Sequence, residues 1–235
     1  MWPLFERKYK IGESGILNGY TDWHSHILPG VDDGVRDIEK SLEILERYEG
    51  IGVKSVWLTP HIMEDIPNST DHLRERFAEL QNAYNGPIGL NLASENMLDV
   101  LFEERLSQND LLPINGNHLL VETSYIEPPM DLYGLLSRIK GAGYFPILAH
   151  PERYRYMSDE DYRRLVAMDV KLQMNLPSAV GMYGDEAHRR MKWLLKNGLY
   201  SFIGTDLHNG RMLGKLLDGK ISSSLCKSIK TIGHD

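Results

Sequence analysis

Short apolar runs recur along this chain, separated by polar or glycine-rich segments. Seven of them have the length of a strand and are followed by turn residues, which is typical of strands in a parallel sheet. The predicted strands cover residues 18–23, 53–59, 88–94, 119–121, 144–149, 170–175 and 200–205.

Amphipathic segments occupy most of the intervals between these runs. Asp37 is typical of a helix N-cap, Ile38, Leu42 and Leu45 fall on one face, and Gly50 is a stop signal, so a helix is predicted to Tyr48. Further helices are predicted over residues 70–84, 131–140, 158–168 and 187–197.

The alternation of strands and helices predicts an α/β fold with parallel strands that close into a barrel. A flat, doubly wound sheet is the alternative. That fold would place a glycine-rich phosphate loop after the first strand, where this chain carries His24 and His26. A barrel is therefore favoured, and in a barrel the carboxyl ends of the strands converge on one face.

Chain length fits one α/β barrel, so a single domain over residues 1–235 is expected, with an N-terminal extension at 1–17 and a helical tail at 210–235. No apolar run is long enough to cross a bilayer and no signal segment begins the chain. We therefore expect a cytoplasmic protein without direct membrane insertion.

The net charge of −7 argues against a nucleic-acid partner, which normally requires a basic face. The single cysteine, Cys226, excludes both an internal disulfide and a thiolate zinc site.

Histidines and carboxylates stand where six of the predicted strands give way to loops. They form a mixed nitrogen and oxygen set, which suits zinc, iron or manganese better than calcium or magnesium. The candidate metal ligands are His24, His26, Asp33, His61, Glu95, Glu122, His150, Asp206 and His208.

Each candidate also has an ordinary explanation. His24 and His26 could be polar strand surface, Asp33 could belong to a turn, and Glu95 or Glu122 could end a strand in water. Their joint placement at strand ends is not explained in this way. The sequence therefore predicts a site for more than one metal ion.

Four motifs at these strand ends carry a resemblance to a known family. The motifs are residues 22–34 (DWHSHILPGVDDG), 59–61 (TPH), 149–153 (AHPER) and 206–209 (DLHN). From residue 22 to 209 the chain resembles the polymerase and histidinol phosphatase (PHP) superfamily. Within it, the chain is most similar to the bacterial manganese-dependent protein-tyrosine phosphatases of capsular polysaccharide operons.

The resemblance implies a distorted seven-stranded barrel that holds three divalent ions, manganese foremost, with iron or zinc as alternatives. One departure is Ala93-Ser94-Glu95, where relatives usually carry Gly-Ala-Glu. The implied ligand sets are His24, His26, Glu95 and Asp206 for one ion, Glu95, Glu122 and His150 for a second, and Asp33, His61 and His208 for a third.

The resemblance also suggests a mechanism. A hydroxide that bridges the first two ions would attack phosphorus in line, while Arg153 and the third ion hold the non-bridging oxygens. Asp206 and His208 are expected to act with Arg153 in catalysis. The alternative for Arg153 is a surface ion pair with Glu152, and Tyr154-Arg155-Tyr156 could either receive a peptide or cover the barrel mouth.

The leading hypothesis is a phosphatase for phosphotyrosyl proteins, whose partner would be a bacterial tyrosine autokinase that regulates capsular polysaccharide synthesis. A small-molecule phosphoesterase of the histidinol-phosphate type and a metal-dependent nuclease would use the same ligands, although the acidic charge weakens the nuclease. A non-catalytic, metal-stabilised binding module is the alternative outside enzymology.

Overall fold

The structure is a computed structural model that describes residues 6–233 of the chain. A ring of parallel strands forms its centre, and two of the seven ring positions are interrupted and contain two short strands each. The ring strands are β2 (Thr21–Ser25), β3 (Ser55–Leu58) with β4 (His61–Ile62), β5 (Gly89–Leu92) with β6 (Glu95–Met97), β7 (His118–Glu122), β8 (Phe145–Ala149), β9 (Lys171–Asn175) and β10 (Tyr200–Gly204).

Backbone hydrogen bonds connect these strands in a closed order. One sheet contains β2, β3 and β5, and the other runs from β4 through β6, β7, β8 and β9 to β10. The amide of Asp206 donates to the carbonyl of His24 at 2.8 Å, and the amide of His26 donates to the carbonyl of Leu207 at 3.0 Å, which joins the two ends. The predicted α/β class with parallel strands is confirmed.

The ring is distorted where two of its positions are interrupted. Pro60 separates β3 from β4 and has no amide hydrogen to donate to a ladder. The amide of Glu95 nevertheless donates to the carbonyl of Pro60 at 3.0 Å, which keeps the neighbouring position in register. His61 and Glu95 therefore begin new short strands at the carboxyl end of the ring.

Eight helices surround the ring within residues 6–233. Asp37 and Ser69 accept hydrogen bonds at the N-termini of the first two, and Ser158 forms a capping box with Asp161 at the fifth. The helices are α1 (Ile38–Gly50), α2 (Thr70–Ala83), α3 (Val100–Gln108), α4 (Leu132–Gly141), α5 (Asp159–Ala167), α6 (Gly184–Lys196), α7 (Gly210–Asp218) and α8 (Ser223–Ile229).

The five predicted helices are present, and α3 was not predicted. Its N-cap is Asp99, whose side chain accepts from the amide of Phe102. The helix is only nine residues long and buries few of them, so its apolar pattern is too brief to recognise.

A small apolar cluster fills the inside of the ring toward the amino ends of the strands. It contains alternate residues of the ring strands, among them Trp57, Leu120 and Ile147. Trp23 stacks on Trp57 with ring centroids 6.0 Å apart. On β7, the candidate ligand Glu122 follows Leu120 of this cluster by two residues and therefore lies on the same face, nearer the carboxyl end of the strand.

The two ends of the chain are paired with each other. Strand β1 (Lys8–Lys10) lies antiparallel to β11 (Lys220–Ser222), with Tyr9 opposite Ile221. Helix α8 then buries Cys226 and Ile229 against the large outer core. The predicted tail is helical in α7 and α8, but neither β1 nor β11 was predicted. Residues 1–5 and 234–235 of the predicted extension and tail lie outside the described residues.

Of the helices between residues 6 and 233, none combines the length and the apolar character that a bilayer crossing requires.

Burial of α8 predicts that the tail contributes to stability. Ile229→Ala removes a fully buried side chain, so we expect the free energy of unfolding to fall by about 2–5 kcal/mol in urea titrations. Val166→Ala, at an exposed position of α5, is the matched control and should change it by less than about 0.5 kcal/mol. Equal effects of the two substitutions would show that the tail is only loosely attached.

Candidate metal centre

The nine candidate ligands lie together at the carboxyl end of the ring. Four of them lie on β2, β4, β6 and β7, and the other five lie in the loops that follow β2, β8 and β10. Most of them are buried, whereas Asp33 is exposed and His208 is half-buried. Side chains separated by up to about 180 residues in sequence thus reach one place, as parallel strand ends allow.

The most buried group contains His24, His26, Glu95 and Asp206, which offer one ligand atom each within 4.8 Å of one another. Glu95 Oε2 lies 3.2 Å from Nε2 of His24 and 3.3 Å from Nε2 of His26. Asp206 Oδ1 lies 3.6 and 3.4 Å from the same two nitrogens. This group has the composition that the resemblance implies for one ion.

A second group lies nearer the surface and contains His26, Asp33, His61 and His208. Asp33 Oδ1 is 3.5 Å from His61 Nε2 and 3.4 Å from His208 Nε2. Three of these residues are the implied ligands of one ion, and His26 joins them because its ring stacks on His208 with centroids 4.1 Å apart.

A third group contains His61, Glu95 and Glu122. His61 Nδ1 is 3.1 Å from Glu95 Oε2 and 3.2 Å from Glu122 Oε1. His150 lies beside this group, with Nε2 3.0 Å from Glu95 Oε1 and 3.7 Å from Glu122 Oε2. The structure brings all nine residues together, and the allocation of individual ions to them stays a prediction.

Two buried polar atoms at the centre of these groups lack hydrogen-bond partners. They are Glu95 Oε2 and His61 Nδ1, and both are shielded from water. An unsatisfied buried polar atom is costly unless something else binds it. Nitrogen and carboxylate ligands aimed at a common point suit a transition-metal ion, so the residues present fit the divalent ions that the resemblance implies.

Hydrogen bonds orient three of the imidazoles toward the centre. Nδ1 of His24 donates to Gln173 Oε1 at 2.9 Å, and Nδ1 of His26 donates to Asp32 Oδ2 at 2.8 Å. Nδ1 of His208 donates to the backbone carbonyl of Asp206 at 2.8 Å. Each bond fixes the tautomer that leaves Nε2 as a lone-pair donor.

Asp206 uses its two carboxylate oxygens differently. Oδ1 faces the histidines, whereas Oδ2 accepts from Arg153 at 2.8 Å, from Asn175 at 2.9 Å and from the Tyr183 hydroxyl at 3.3 Å. These donors hold the carboxylate plane, so Oδ1 remains directed at the metal groups.

Arg153 lies between two aromatic rings. Its guanidinium carbon is 4.2 Å from the ring centroid of Tyr125 and 4.2 Å from that of Tyr183. The alternative ion pair with Glu152 is absent, because Glu152 is buried and accepts from the Asn175 amide and the Tyr200 hydroxyl instead. The guanidinium therefore stands at the edge of the metal groups, paired with Asp206.

The segment Tyr154-Arg155-Tyr156 has one buried residue and two residues at the mouth of the ring. Tyr154 is buried and its ring lies 5.8 Å from that of His150, so it supports a candidate ligand. Arg155 is exposed and Tyr156 half-buried at the mouth of the ring.

Asp22 holds Thr205, the residue that follows β10, in place. Its carboxylate accepts from the amide of Thr205 at 2.8 Å, from the Thr205 hydroxyl at 2.6 Å and from the Tyr48 hydroxyl at 2.9 Å. Burial raises the pKa of Asp22 to about 6, although these hydrogen bonds oppose the shift. The bonds tie the residue before Asp206 to the strand that carries His24.

The backbone is strained or tightly packed at several positions of the site. His150 and Asp206 both have positive φ, 32° and 51°, a region that residues other than glycine rarely adopt. Gly204 has no room for a side chain, since a Cβ there would lie 2.4 Å from the Cβ of His24. These constraints hold the candidate ligands at fixed positions.

The carboxylates and imidazoles perturb one another strongly. Burial would lower the pKa of His24, but Glu95 and Asp206 outweigh it and raise that pKa to about 9. Burial likewise opposes ionisation of Asp206, yet the neighbouring His26 and His24 hold its pKa well below the usual range. The site therefore attracts positive charge, either as protons or as metal ions.

Four residues with evident roles were not identified from the sequence. Asp32 and Gln173 hold the imidazoles, and Asn175 and Tyr183 hold Asp206. Asp32 and Asn175 had a signal, since Asp32 lies in the loop after β2 and Asn175 is the last residue of β9. Gln173 and Tyr183 had none, because their roles follow from which strands and loops become neighbours.

The closed order of parallel strands and the convergent nitrogen and oxygen ligands define an α/β protein with a candidate multi-metal centre. Residues 20–214 match the family described as "Capsular polysaccharide synthesis, CpsB/CapC". The chain therefore belongs to the CpsB/CapC family, and the resemblance to the capsular type predicted from the sequence is confirmed.

Three similar relatives are named tyrosine-protein phosphatases. The putative phosphatase CapC of Staphylococcus aureus is 27% identical over 80% of this chain and 76% of its own length. YwqE of Bacillus subtilis strain 168 is 27% identical over 80% and 77%. CpsB of Streptococcus agalactiae is 28% identical over 80% and 82%.

The fold is also similar to a solved structure. A chain from the crystal structures of YwqE from Bacillus subtilis and CpsB from Streptococcus pneumoniae, described as unique metal-dependent tyrosine phosphatases, aligns with a TM-score of 0.78. The alignment covers 92% of this chain and 89% of the other, at 24% identity. At that identity, the likeness shows a shared fold.

Loss of the Asp22 network should destabilise the protein. We expect Asp22→Asn to lower the free energy of unfolding by about 1–3 kcal/mol, because an amide nitrogen replaces one of the accepting oxygens. The pKa of Asp22 is raised in the folded state, so its stabilising contribution is greatest below about pH 4 and is lost as pH rises through 6.

The difference between wild type and Asp22→Asn in urea titrations should therefore be larger at pH 5 than at pH 8. The exposed Asp218→Asn, which removes a surface ion pair with Lys10, is the control and should have little effect at either pH. A difference that grows with pH would show instead that the hydrogen bonds from Thr205 and Tyr48 outweigh the effect of burial on the pKa of Asp22.

Protons and metal ions should compete for the candidate centre. Because the pKa of His24 is about 9 in the ion-free protein, its Nε2 must lose a proton before it can bind an ion. We expect the apparent affinity for Mn²⁺ to rise as pH increases from 6 to 9, with protons released on binding. Calorimetric titrations in two buffers of different ionisation enthalpy measure both, and an affinity independent of pH would exclude His24 as a ligand.

Proposed function

We propose that this chain is a metal-dependent protein-tyrosine phosphatase. Its substrate would be phosphotyrosine on a bacterial tyrosine autokinase that regulates capsular or exopolysaccharide synthesis, and it would act in the cytoplasm. The proposal includes three divalent ions, manganese foremost, held by the nine candidate ligands around Glu95.

The observation that carries the proposal is the convergence of the three ligand groups beside Arg153. The groups share His26, His61 and Glu95, so ions bound to them would be close neighbours. Closely spaced cations with an arginine at their edge are suited to phosphate esters, whose negative charge otherwise repels a nucleophile. Membership in the CpsB/CapC family and the names of the relatives support the same activity.

Divalent ions at this centre would neutralise the phosphate dianion and lower the pKa of bound water, which supplies a nucleophile near neutral pH. Each implied ligand set has a carboxylate, and Glu95 belongs to two of them. Glu95 is fully buried and faces imidazoles on several sides, so it is positioned to stabilise cations and not to exchange protons with solvent.

Arg153 would hold the substrate phosphate. One guanidinium nitrogen is bound to Asp206, and the planar fork leaves further N–H donors for the non-bridging oxygens. The rings of Tyr125 and Tyr183 fix the plane of this fork on both sides. A guanidinium held in this way binds phosphate with little loss of side-chain entropy.

The space beside Arg153 suits an aryl phosphate. A cavity of about 310 Å³ is lined in part by Tyr125, Arg153, Arg155 and Tyr183. The phenol of tyrosine has a pKa of about 10, lower than that of an aliphatic alcohol, so its departure depends less on a positioned general acid. No histidine is among the residues that line the cavity, and a phenol leaving group does not need one as a general acid.

Substrate comparisons test the proposal directly. We expect the chain with Mn²⁺ to hydrolyse a phosphotyrosyl peptide with a higher kcat/KM than histidinol phosphate, and to leave single-stranded DNA intact. A chelator should abolish turnover and added Mn²⁺ should restore it. Preference for histidinol phosphate would identify a small-molecule phosphoesterase, and no hydrolysis with Mn²⁺, Fe²⁺ or Zn²⁺ would identify a non-catalytic binding module.

Substitution at the centre should abolish hydrolysis of p-nitrophenyl phosphate. We expect His150→Ala and Asp206→Ala each to lower kcat/KM by more than about 100-fold, because each removes an implied metal ligand. Cys226→Ser is the control and should retain activity, since Cys226 is buried in α8 among the tail residues. Circular dichroism checks that the variants are folded, and robust turnover by either alanine variant would contradict the proposal.

A further inference from the structure

The three most exposed of the large apolar side chains follow strands that carry candidate metal ligands. Within residues 6–233, Val100 is 71% exposed, Ile126 70% and Met130 107%. All three follow β6 or β7, so they lie on the face where these strands end. We call residues 123–131, between β7 and α4, the β7 rim loop. Exposed apolar groups next to a site are characteristic of a binding surface.

The β7 rim loop also borders a small cavity. Its lining includes Pro128, Pro129, Met130, Tyr133, Tyr156 and Met157, and its volume is about 270 Å³. We call it the rim cavity. A cavity of this volume has room for an apolar side chain.

A series of ring contacts connects the rim cavity with the metal centre. The ring of His150 lies 5.8 Å from that of Tyr154, which lies 5.7 Å from that of Tyr156, a wall of the cavity. An extended peptide advances about 3.3 Å per residue, so about two to four residues span the distance from a phosphotyrosine at the centre to the cavity.

The position of the centre places the substrate polypeptide on the loops at the carboxyl end of the ring, of which the β7 rim loop is one. The candidate ligands are mostly buried at the carboxyl end of the ring, so a phosphotyrosyl side chain has to enter from the mouth. The main chain that carries it then lies on the loops that follow the strands. This step rests on the proposed function.

Exposed carboxylates near the β7 rim loop disfavour other occupants of this surface. The exposed Glu127 lies in the β7 rim loop itself, and the exposed Glu64 and Asp65 follow β4, which is separated from β7 by β6. These carboxylates would repel nucleic acid and anionic lipid headgroups. They also disfavour a second copy of this chain, because a two-fold contact would bring Glu127 against its own equivalent.

We propose that the β7 rim loop, through Ile126, Met130 and the rim cavity, is the docking surface for the polypeptide that carries phosphotyrosine. The cavity binds an apolar side chain about two to four residues from the phosphotyrosine. The site thereby selects phosphoprotein segments with apolar neighbours over isolated aryl phosphates.

Two phosphotyrosyl peptides and one small substrate test this docking surface. The peptides are identical except for leucine or serine three residues to either side of the phosphotyrosine, and the small substrate is p-nitrophenyl phosphate. We expect wild type to prefer the leucine peptide by roughly three- to tenfold in kcat/KM, the range for partial burial of one apolar side chain.

The double variant Ile126→Ser/Met130→Ser should lose this preference and hydrolyse p-nitrophenyl phosphate at the wild-type rate. The matched control is Phe145→Ser/Val166→Ser, which removes two exposed apolar side chains at the start of β8 and on α5. The control should keep the preference for leucine.

Three results with the rim variant, Ile126→Ser/Met130→Ser, would overturn the docking surface. The rim variant could retain the preference, it could lose activity equally on all three substrates, or it could change only the oligomeric state in sedimentation, which would identify a contact between copies. Equal turnover of both peptides by wild type also refutes docking while leaving the phosphatase intact. Failure of wild type on every substrate, p-nitrophenyl phosphate included, refutes the proposed function instead.

Discussion

Carboxylates crowded into the buried end of a strand ring impose the constraint on which the rest of this structure depends. Glu95 shares one ligand group with Asp206 and another with Glu122, and all three are buried. Unpaired charges in such surroundings would be strongly destabilising, because their repulsion is poorly screened and their hydration is lost. The surrounding imidazoles, and the cations they are arranged to bind, are the compensation that makes this concentration of charge compatible with a folded chain.

That compensation depends on orientation, and the ring supplies it. A histidine stabilises a neighbouring cation only if its lone pair points inward, and the hydrogen bonds from His24 to Gln173 and from His26 to Asp32 impose that direction. Gly204 allows β10 to approach β2 closely enough for Asp206 to face both histidines. The positions of the ligands therefore depend directly on how the ring strands pack against one another.

The sequence was sufficient to predict the ring strands, five helices and the nine side chains that converge, because strand ends are marked by local apolar runs and turn residues. It could not reveal Gln173 or Tyr183, whose roles depend on which segments become neighbours in space. The pairing of β1 with β11 was not predicted for the same reason, since two three-residue strands over 200 residues apart leave no local pattern. Local periodicity predicts elements, whereas long-range contacts decide the supporting partners of a site.

The left-handed backbone at His150 and Asp206 has a consequence for how this protein could be engineered. Each such conformation costs about 1–3 kcal/mol for a residue with a side chain, and glycine at either place would relieve it while deleting a ligand. Fold robustness and ligand geometry therefore oppose each other at these two positions. A screen for thermal stability alone would favour glycine at these positions and so select variants that no longer bind metal. Keeping the ions present throughout the screen would oppose this, because bound ions stabilise the folded protein.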